Sequence, residues 1–314
     1  MRSSRCCAQA VLVTSPLTPA ELDGAEAAWD RISAGETTTS TDEDYLDMLT
    51  HPYWEQVATQ VLRAEGCGVG VLETYPHNRA PNEFDPDEDR DERDYKSWNG
   101  GHLDVQITRA GWEATPRREM LAIWLWCNDV PLERGPMRVL KGSHLPIADY
   151  WSSRITPEHE RELPRVHGLS PAGRRGEDPE GSGGTHSGIP ELMDVEFKEQ
   201  VPEKVTAKRG QALVFSQALL HQATTNEDTV PRKGHIMSWT ANSVPGFLET
   251  GRITSMRDYH AKIRAKLDEY KPDRAHIIPK DFIHGISEYG RNADKGGEYW
   301  PEMFMPLQSD SAKL

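Results

Sequence analysis

The sequence predicts a mainly β fold with flanking helices. Three observations carry that expectation. Short β-rich segments recur at residues 120–128 (MLAIWLWCN), 136–140 (PMRVL), Gln211–Ser216 (QALVFS) and 235–241 (HIMSWTA); helical periodicity is confined to the two ends; turn residues separate the segments. A chain of 314 residues can bury a substantial core, and sandwiches or barrels of comparable size often form one domain. The organisation expected is a single domain over 1–314, with a helical N-terminal part at about 15–66 and a β core at about 67–245. A long insert at about 151–208 interrupts the core, and a helical and irregular extension follows at about 250–314.

The first helix is announced by Thr18, Pro19 and Glu21, placed as N-cap, N1 and N3 of a capping box, with Leu22, Ala25, Trp29 and Ile32 then recurring near the helical period. A second runs from Pro52 to about Ala64, where Trp54, Val57 and Val61 share a face and Gly66 stops the pattern. In 120–128, Leu121, Ile123, Leu125 and Cys127 alternate with Ala122, Trp124 and Trp126, which predicts a buried strand. The next strand, 136–140, follows the turn Glu133-Arg134-Gly135 and ends at Lys141-Gly142-Ser143. Residues 173–188 of the insert (GRRGEDPEGSGGTHSG) are too rich in glycine and charge to pack, so a lid and disorder both remain open there. Met256, Tyr259, Ile263, Leu267 and Tyr270 mark a last amphipathic helix, and the tail from 271 is expected to wrap the domain surface.

Composition excludes several classes of function. With 36 basic and 50 acidic side chains the net charge is -14, which repels polyanions, so nucleic acid is not an expected partner. The acidic run 83–94 (EFDPDEDRDERD) reads as a solvated loop. No apolar stretch approaches the roughly 18 residues of a membrane span. Four cysteines, two of them adjacent, do not make a disulfide framework, and a reducing compartment fits best. The N-terminal MRSSRCCAQAVLVTS only weakly resembles a targeting leader, and a cytoplasmic location is expected.

His102-Leu103-Asp104 sets a histidine and a carboxylate two apart, and in a strand such positions project from one face. His221 lies just past the segment Gln211–Ser216, where a folded sandwich could return it to that pair. Two imidazoles and a carboxylate on one face of an octahedron leave three positions open, the geometry that non-haem iron(II) oxygenases use for a co-substrate and O2. Arg232, eleven residues beyond His221, could direct a guanidinium into the same cavity and pair bidentately with a dicarboxylate such as 2-oxoglutarate.

The segment 123–144 (IWLWCNDVPLERGPMRVLKGSH) resembles the strand–turn–strand of the phytanoyl-CoA dioxygenase family, whose usual form ends in NGxLxVxPGSH. The order HxD, GSH-ended hairpin, distal His, then Arg agrees with that family over about 100–243. The resemblance implies a double-stranded β-helix, a cupin-like jelly roll. It implies Fe(II) on His102, Asp104 and His221, with 2-oxoglutarate and O2 as co-substrates. Arg232 would hold the distal carboxylate, with Trp124 against the co-substrate. The chain departs from the pattern at Arg134-Gly135, at Lys141, and at Ala223, where a hydroxyl residue is usual; Thr224 or Thr225 is expected to supply that hydroxyl. Asp104 disfavours halogenation, since halogenases of related fold replace the carboxylate to admit chloride. Residues 111–119 (GWEATPRRE) lack the stretch that marks ectoine hydroxylase.

The expected activity is therefore oxidation, hydroxylation above all, of a small-molecule C–H bond, of the kind found in secondary metabolism, with release of succinate and CO2. The rival readings are a non-catalytic jelly-roll binding protein and a metal-dependent jelly-roll isomerase or hydrolase. Arg138, Trp98 and Trp239 are candidate substrate residues, although a salt bridge would equally explain Arg138 and core packing the tryptophans. Of the twelve histidines, His144 is expected to hydrogen-bond its own turn or a neighbouring strand; His167, His186 and His235 could contact substrate, but no spacing selects them.

Overall fold

The computed structural model describes residues 10–81, 107–153, 197, 200–242 and 251–279. Two antiparallel sheets form the framework. The larger contains β1 (Ala10–Thr14), β2 (Val69–Arg79), β3 (Leu121–Trp126), β6 (Gln211–Ser216) and β8 (Arg232–Ala241), in the order β1-β6-β3-β8-β2. The smaller contains β4 (Met137–Val139), β5 (Glu203–Val205) and β7 (His221–Ala223), in the order β5-β4-β7. The helices are α1 (Pro19–Ser33), α2 (Glu43–Leu49), α3 (Pro52–Leu62), α4 (Arg109–Glu113), α5 (His144–Ser152) and α6 (Gly251–Tyr270).

Strand alternation divides the core in two. Leu121, Ile123, Leu125 and Cys127 turn to the helices and pack with Trp54, Leu46, Ile263 and Leu267. Ala122, Trp124 and Trp126 turn the other way and meet Met137 and Val139 of the smaller sheet, together with Leu213, Phe215 and Ile236. The two sheets thus face each other across a second apolar layer, the jelly-roll arrangement.

The α1 capping box forms as its sequence requires. The Glu21 N–H donates to Thr18 Oγ1 at 3.3 Å, and the Thr18 N–H returns to Glu21 Oε2 at 2.7 Å. This helix is bolted to one end of the large sheet. Trp29 Nε1 donates to the His77 carbonyl at 3.2 Å, and Lys233 makes ion pairs with Glu26 and Asp30.

Several elements differ from expectation. The apolar run after the N-terminal arginines includes β1, which pairs with β6. The strand β2 contains Pro76, tolerable because β2 is an edge of its sheet. Helix α3 ends at Arg63, whose φ of 53° makes the left-handed cap, rather than at Gly66. The GSH turn leads directly into α5. Part of the insert is ordered into the sheet, since Glu203–Val205 pairs with β4 and Ala207 bridges to Val130. The acidic run 83–94, residues 173–188 and the tail beyond 279 lie outside the described residues. Among the described residues no helix is long and apolar enough to cross a membrane.

Candidate active site

His221 opens β7 opposite Val139, whose side chain belongs to the layer between the sheets. Its ring is buried and meets the edge of Phe215 at a centroid distance of 5.2 Å. The Nδ1 atom lies 2.8 Å from the Leu219 carbonyl. A carbonyl can only accept, so Nδ1 carries the proton and the lone pair is on Nε2, the tautomer that a metal ligand needs.

Arg232, the first residue of β8, is 0% exposed. Its guanidinium lies over two indoles, 4.8 Å from the Trp124 ring centroid and 5.3 Å from that of Trp126. One terminal nitrogen donates to the Gly135 carbonyl and the other to His77 Nδ1 at 3.0 Å. Because a guanidinium has no acceptor, His77 presents a lone pair at Nδ1. Its ring also meets Trp124 edge-on at 4.6 Å.

Trp124 Nε1 is buried and finds no hydrogen-bond acceptor among the described residues. A Cβ on Gly234 would come within 2.9 Å of that nitrogen, of Trp126 Cε3 and of the Leu125 carbonyl, so glycine alone lets both indoles lie against β8. A buried cation beside an unsatisfied N–H donor suits a carboxylate, which accepts at both oxygens. Trp124, Phe215 and Val139 belong to one apolar cluster, so Arg232 and His221 reach the same inter-sheet layer.

Three other predicted positions, His102, Asp104 and Trp98, lie outside the described residues, as do His167 and His186. Thr224 is buried, but its hydroxyl donates to the Pro136 carbonyl at 2.5 Å and so ties β7 to the start of β4. Arg138 alternates with the interior residues Met137 and Val139, and its guanidinium donates to the Gln222 side chain across the sheet. That places it on the opposite face from the interior. Trp239 packs in the helix-side cluster and is likewise turned away from the layer that Arg232 and His221 reach. His235 is on that side as well, donating from Nε2 to the Ala25 carbonyl at 2.8 Å. His144 does not bond its turn: neither ring nitrogen has a hydrogen-bond partner among the described residues, and the ring lies edge-on to Trp112 at 4.7 Å. The turn is instead held by Ser143, whose hydroxyl accepts the Leu220 N–H at 2.9 Å.

Sequence reasoning missed His77, Trp126, Gly135 and Gly234 around Arg232. The signal for Trp126 was its two-residue spacing from Trp124. His77 was hidden by Pro76, which argues against a strand unless the strand is known to be an edge.

The model of the family described as phytanoyl-CoA dioxygenase matches residues 20–234, more than half of the chain. The chain belongs to the phytanoyl-CoA dioxygenase family. It is accordingly a non-haem iron, 2-oxoglutarate-dependent oxygenase by class. No curated protein matches it. Among solved structures it is similar to the non-haem α-ketoglutarate-dependent carbocyclase SnoK from nogalamycin biosynthesis, at 17% identity and a TM-score of 0.47, over 74% of this chain and 80% of that one. HygX from Streptomyces hygroscopicus, solved with nickel and 2-oxoglutarate, is similar at 10% identity and a TM-score of 0.42, over 75% and 83% of the two chains. AviO1 from Streptomyces viridochromogenes Tue57 is similar at 11% identity and a TM-score of 0.44, over 75% and 91%.

Proposed function

We propose that this phytanoyl-CoA dioxygenase family member hydroxylates a C–H bond of a small-molecule substrate, releasing succinate and CO2. Iron(II) would be held by His102, Asp104 and His221, and 2-oxoglutarate would be anchored by Arg232. The single observation that supports this best is Arg232, fully buried against two indoles and reaching the same interior layer as His221.

The residues fit the groups they would hold. His221 offers Nε2 with its tautomer set by the Leu219 carbonyl, and the ring orientation is fixed by Phe215. Arg232 offers a planar set of donors already oriented by Gly135 and His77, so little freedom is lost when a carboxylate pairs with it. Trp124 contributes an indole N–H close to that guanidinium and excludes water with its ring. When bound, iron would bring O2 together with 2-oxoglutarate, O2 being the oxidant and 2-oxoglutarate giving up two electrons as it becomes succinate and CO2, and so supply the oxidising power that removes a hydrogen atom from the substrate. The protein's part is to exclude water, fix the co-substrate's far end and place one C–H bond near the metal.

The test is succinate release by the iron-loaded protein against a panel of hydroxylated, amino and aryl compounds. A compound that stimulates release and returns with one added oxygen supports hydroxylation. Stimulated release with a product that has lost two hydrogens would replace hydroxylation by desaturation or ring closure. No succinate with any compound, or without one, would overturn the oxygenase reading.

A further inference from the structure

Glu119 is 0% exposed, lies two residues before the start of β3, and is not used by the proposed chemistry. Burying a carboxyl is costly unless it is hydrogen-bonded, so its partners carry information. Its Oε2 accepts the Ser216 hydroxyl at 2.6 Å, and Arg117 lies 3.5 Å from Oε1. Burial pushes the carboxyl up to about 7, against the opposing effects of the Ser216 hydrogen bond and the Arg117 charge.

Ser216 begins the connection that carries His221. All four amide donors of that connection are engaged. The Gln217 N–H donates to the Met120 carbonyl at 2.9 Å, and the Ala218 N–H to Ser216 Oγ at 3.2 Å. The Leu219 N–H donates to the Ser216 carbonyl at 2.9 Å, and the Leu220 N–H to Ser143 Oγ at 2.9 Å. The Leu219 carbonyl then accepts from His221 Nδ1 at 2.8 Å. Two side chains therefore clamp the segment, Ser143 on one side and Ser216 on the other. The hydroxyl of Ser216 is oriented by Glu119, since its proton goes to the carboxyl and its lone pair to Ala218.

We propose that Glu119 is a positioning residue for the metal ligand His221, acting through the Ser216 hydroxyl on the 217–220 connection. This rests on the reading of His221 as a ligand. An acceptor oxygen at this point fixes the Leu219 carbonyl, and that carbonyl fixes the imidazole. Partners one step behind a metal ligand typically change metal affinity about 10- to 100-fold when removed.

The experiment compares Glu119→Ala, Glu119→Gln and Ser216→Ala, each held well below its unfolding midpoint. Iron(II) affinity is read by anaerobic titration, and hydrogen–deuterium exchange of the 216–221 peptide is read in metal-free protein. Glu119→Ala and Ser216→Ala are expected to weaken iron binding by about 10- to 100-fold and to speed exchange of that peptide. Glu119→Gln keeps an acceptor oxygen for Ser216 and is expected to restore affinity to within a few-fold of the parent. Should Glu119→Ala fail to fold, Ser216→Ala removes the same bond by deleting one oxygen and decides alone. Parental iron affinity and parental exchange in Ser216→Ala overturn the inference while leaving the ligand assignment standing; an unmutated protein that binds no iron(II) overturns both.

Discussion

Nη2 of Arg232 donates to Nδ1 of His77 at 3.0 Å, joining the first residue of β8 to the edge strand β2. The contact orients a guanidinium that is also stacked on Trp124 and Trp126. Replacing His77 with Leu removes the acceptor and is expected to raise the KM for 2-oxoglutarate about 10-fold with a smaller change in kcat, because the lost interaction affects binding of the co-substrate. Arg232→Lys, which gives up the planar fork, should raise it further. Steady-state succinate assays at varied 2-oxoglutarate check both, and an unchanged KM in Arg232→Lys would remove Arg232 from the co-substrate site.

Gly234 is expected to tolerate no side chain. The Cβ of an alanine would meet the Leu125 carbonyl and both indoles at 2.9 Å, and the carbonyl belongs to a paired strand that cannot retreat. Overpacking of this kind costs about 1–3 kcal/mol. Thermal unfolding of Gly234→Ala should show a lowered midpoint together with weakened 2-oxoglutarate binding, since Trp124 must move.

Thr224 should behave as a structural residue. Its hydroxyl is committed to Pro136, so Thr224→Val is expected to cost about 1 kcal/mol in denaturant unfolding and to leave the KM for 2-oxoglutarate unchanged. A several-fold rise in that KM would return the hydroxyl to the co-substrate site.

Acid should destabilise the protein from about pH 6.5 downward. Burial lowers His144 to about 3 and His235 and His260 to about 4, below their ordinary value of 6.5. The unfolded chain therefore takes up protons that the folded chain refuses, and stability present above pH 6.5 is lost as pH falls toward 4. Glu119 acts oppositely: its carboxyl is raised from 4.5 to about 7, so its contribution is present below 4.5 and lost as pH rises through 7. Three histidines outweigh one carboxyl between these limits. Urea unfolding at about pH 7, 6 and 5 should show falling stability, with a steeper fall in Glu119→Gln; a flat profile would contradict the burial of these groups.

The sequence made the fold class legible because alternation in residues 120–128 and the α1 capping box are local signals. Local signals also placed Trp124 in a strand that the structure contains, whereas the strand expected over 235–241 begins three residues earlier and takes in Arg232. Other features depend on the partner strand. Arg138 and Trp239 lie on strands as expected, but a strand's period says only that alternate residues share a face, never which face meets the interior. His77 was invisible for the reason that Pro76 is tolerated, namely that β2 is an edge, which only the assembled sheet reveals. The commitment of Thr224 to Pro136 likewise depends on a residue 88 positions away in sequence.

One redox metal and one dicarboxylate are expected to bind side by side between the two sheets of this jelly roll. Anaerobic protein is titrated with iron(II) and then with 2-oxoglutarate while the visible spectrum is followed. A weak charge-transfer band from the chelate is the expected result, appearing only after both additions, lost in His221→Ala and requiring more 2-oxoglutarate in Arg232→Lys. Iron-loaded protein that develops no such band at saturating 2-oxoglutarate would contradict that expectation.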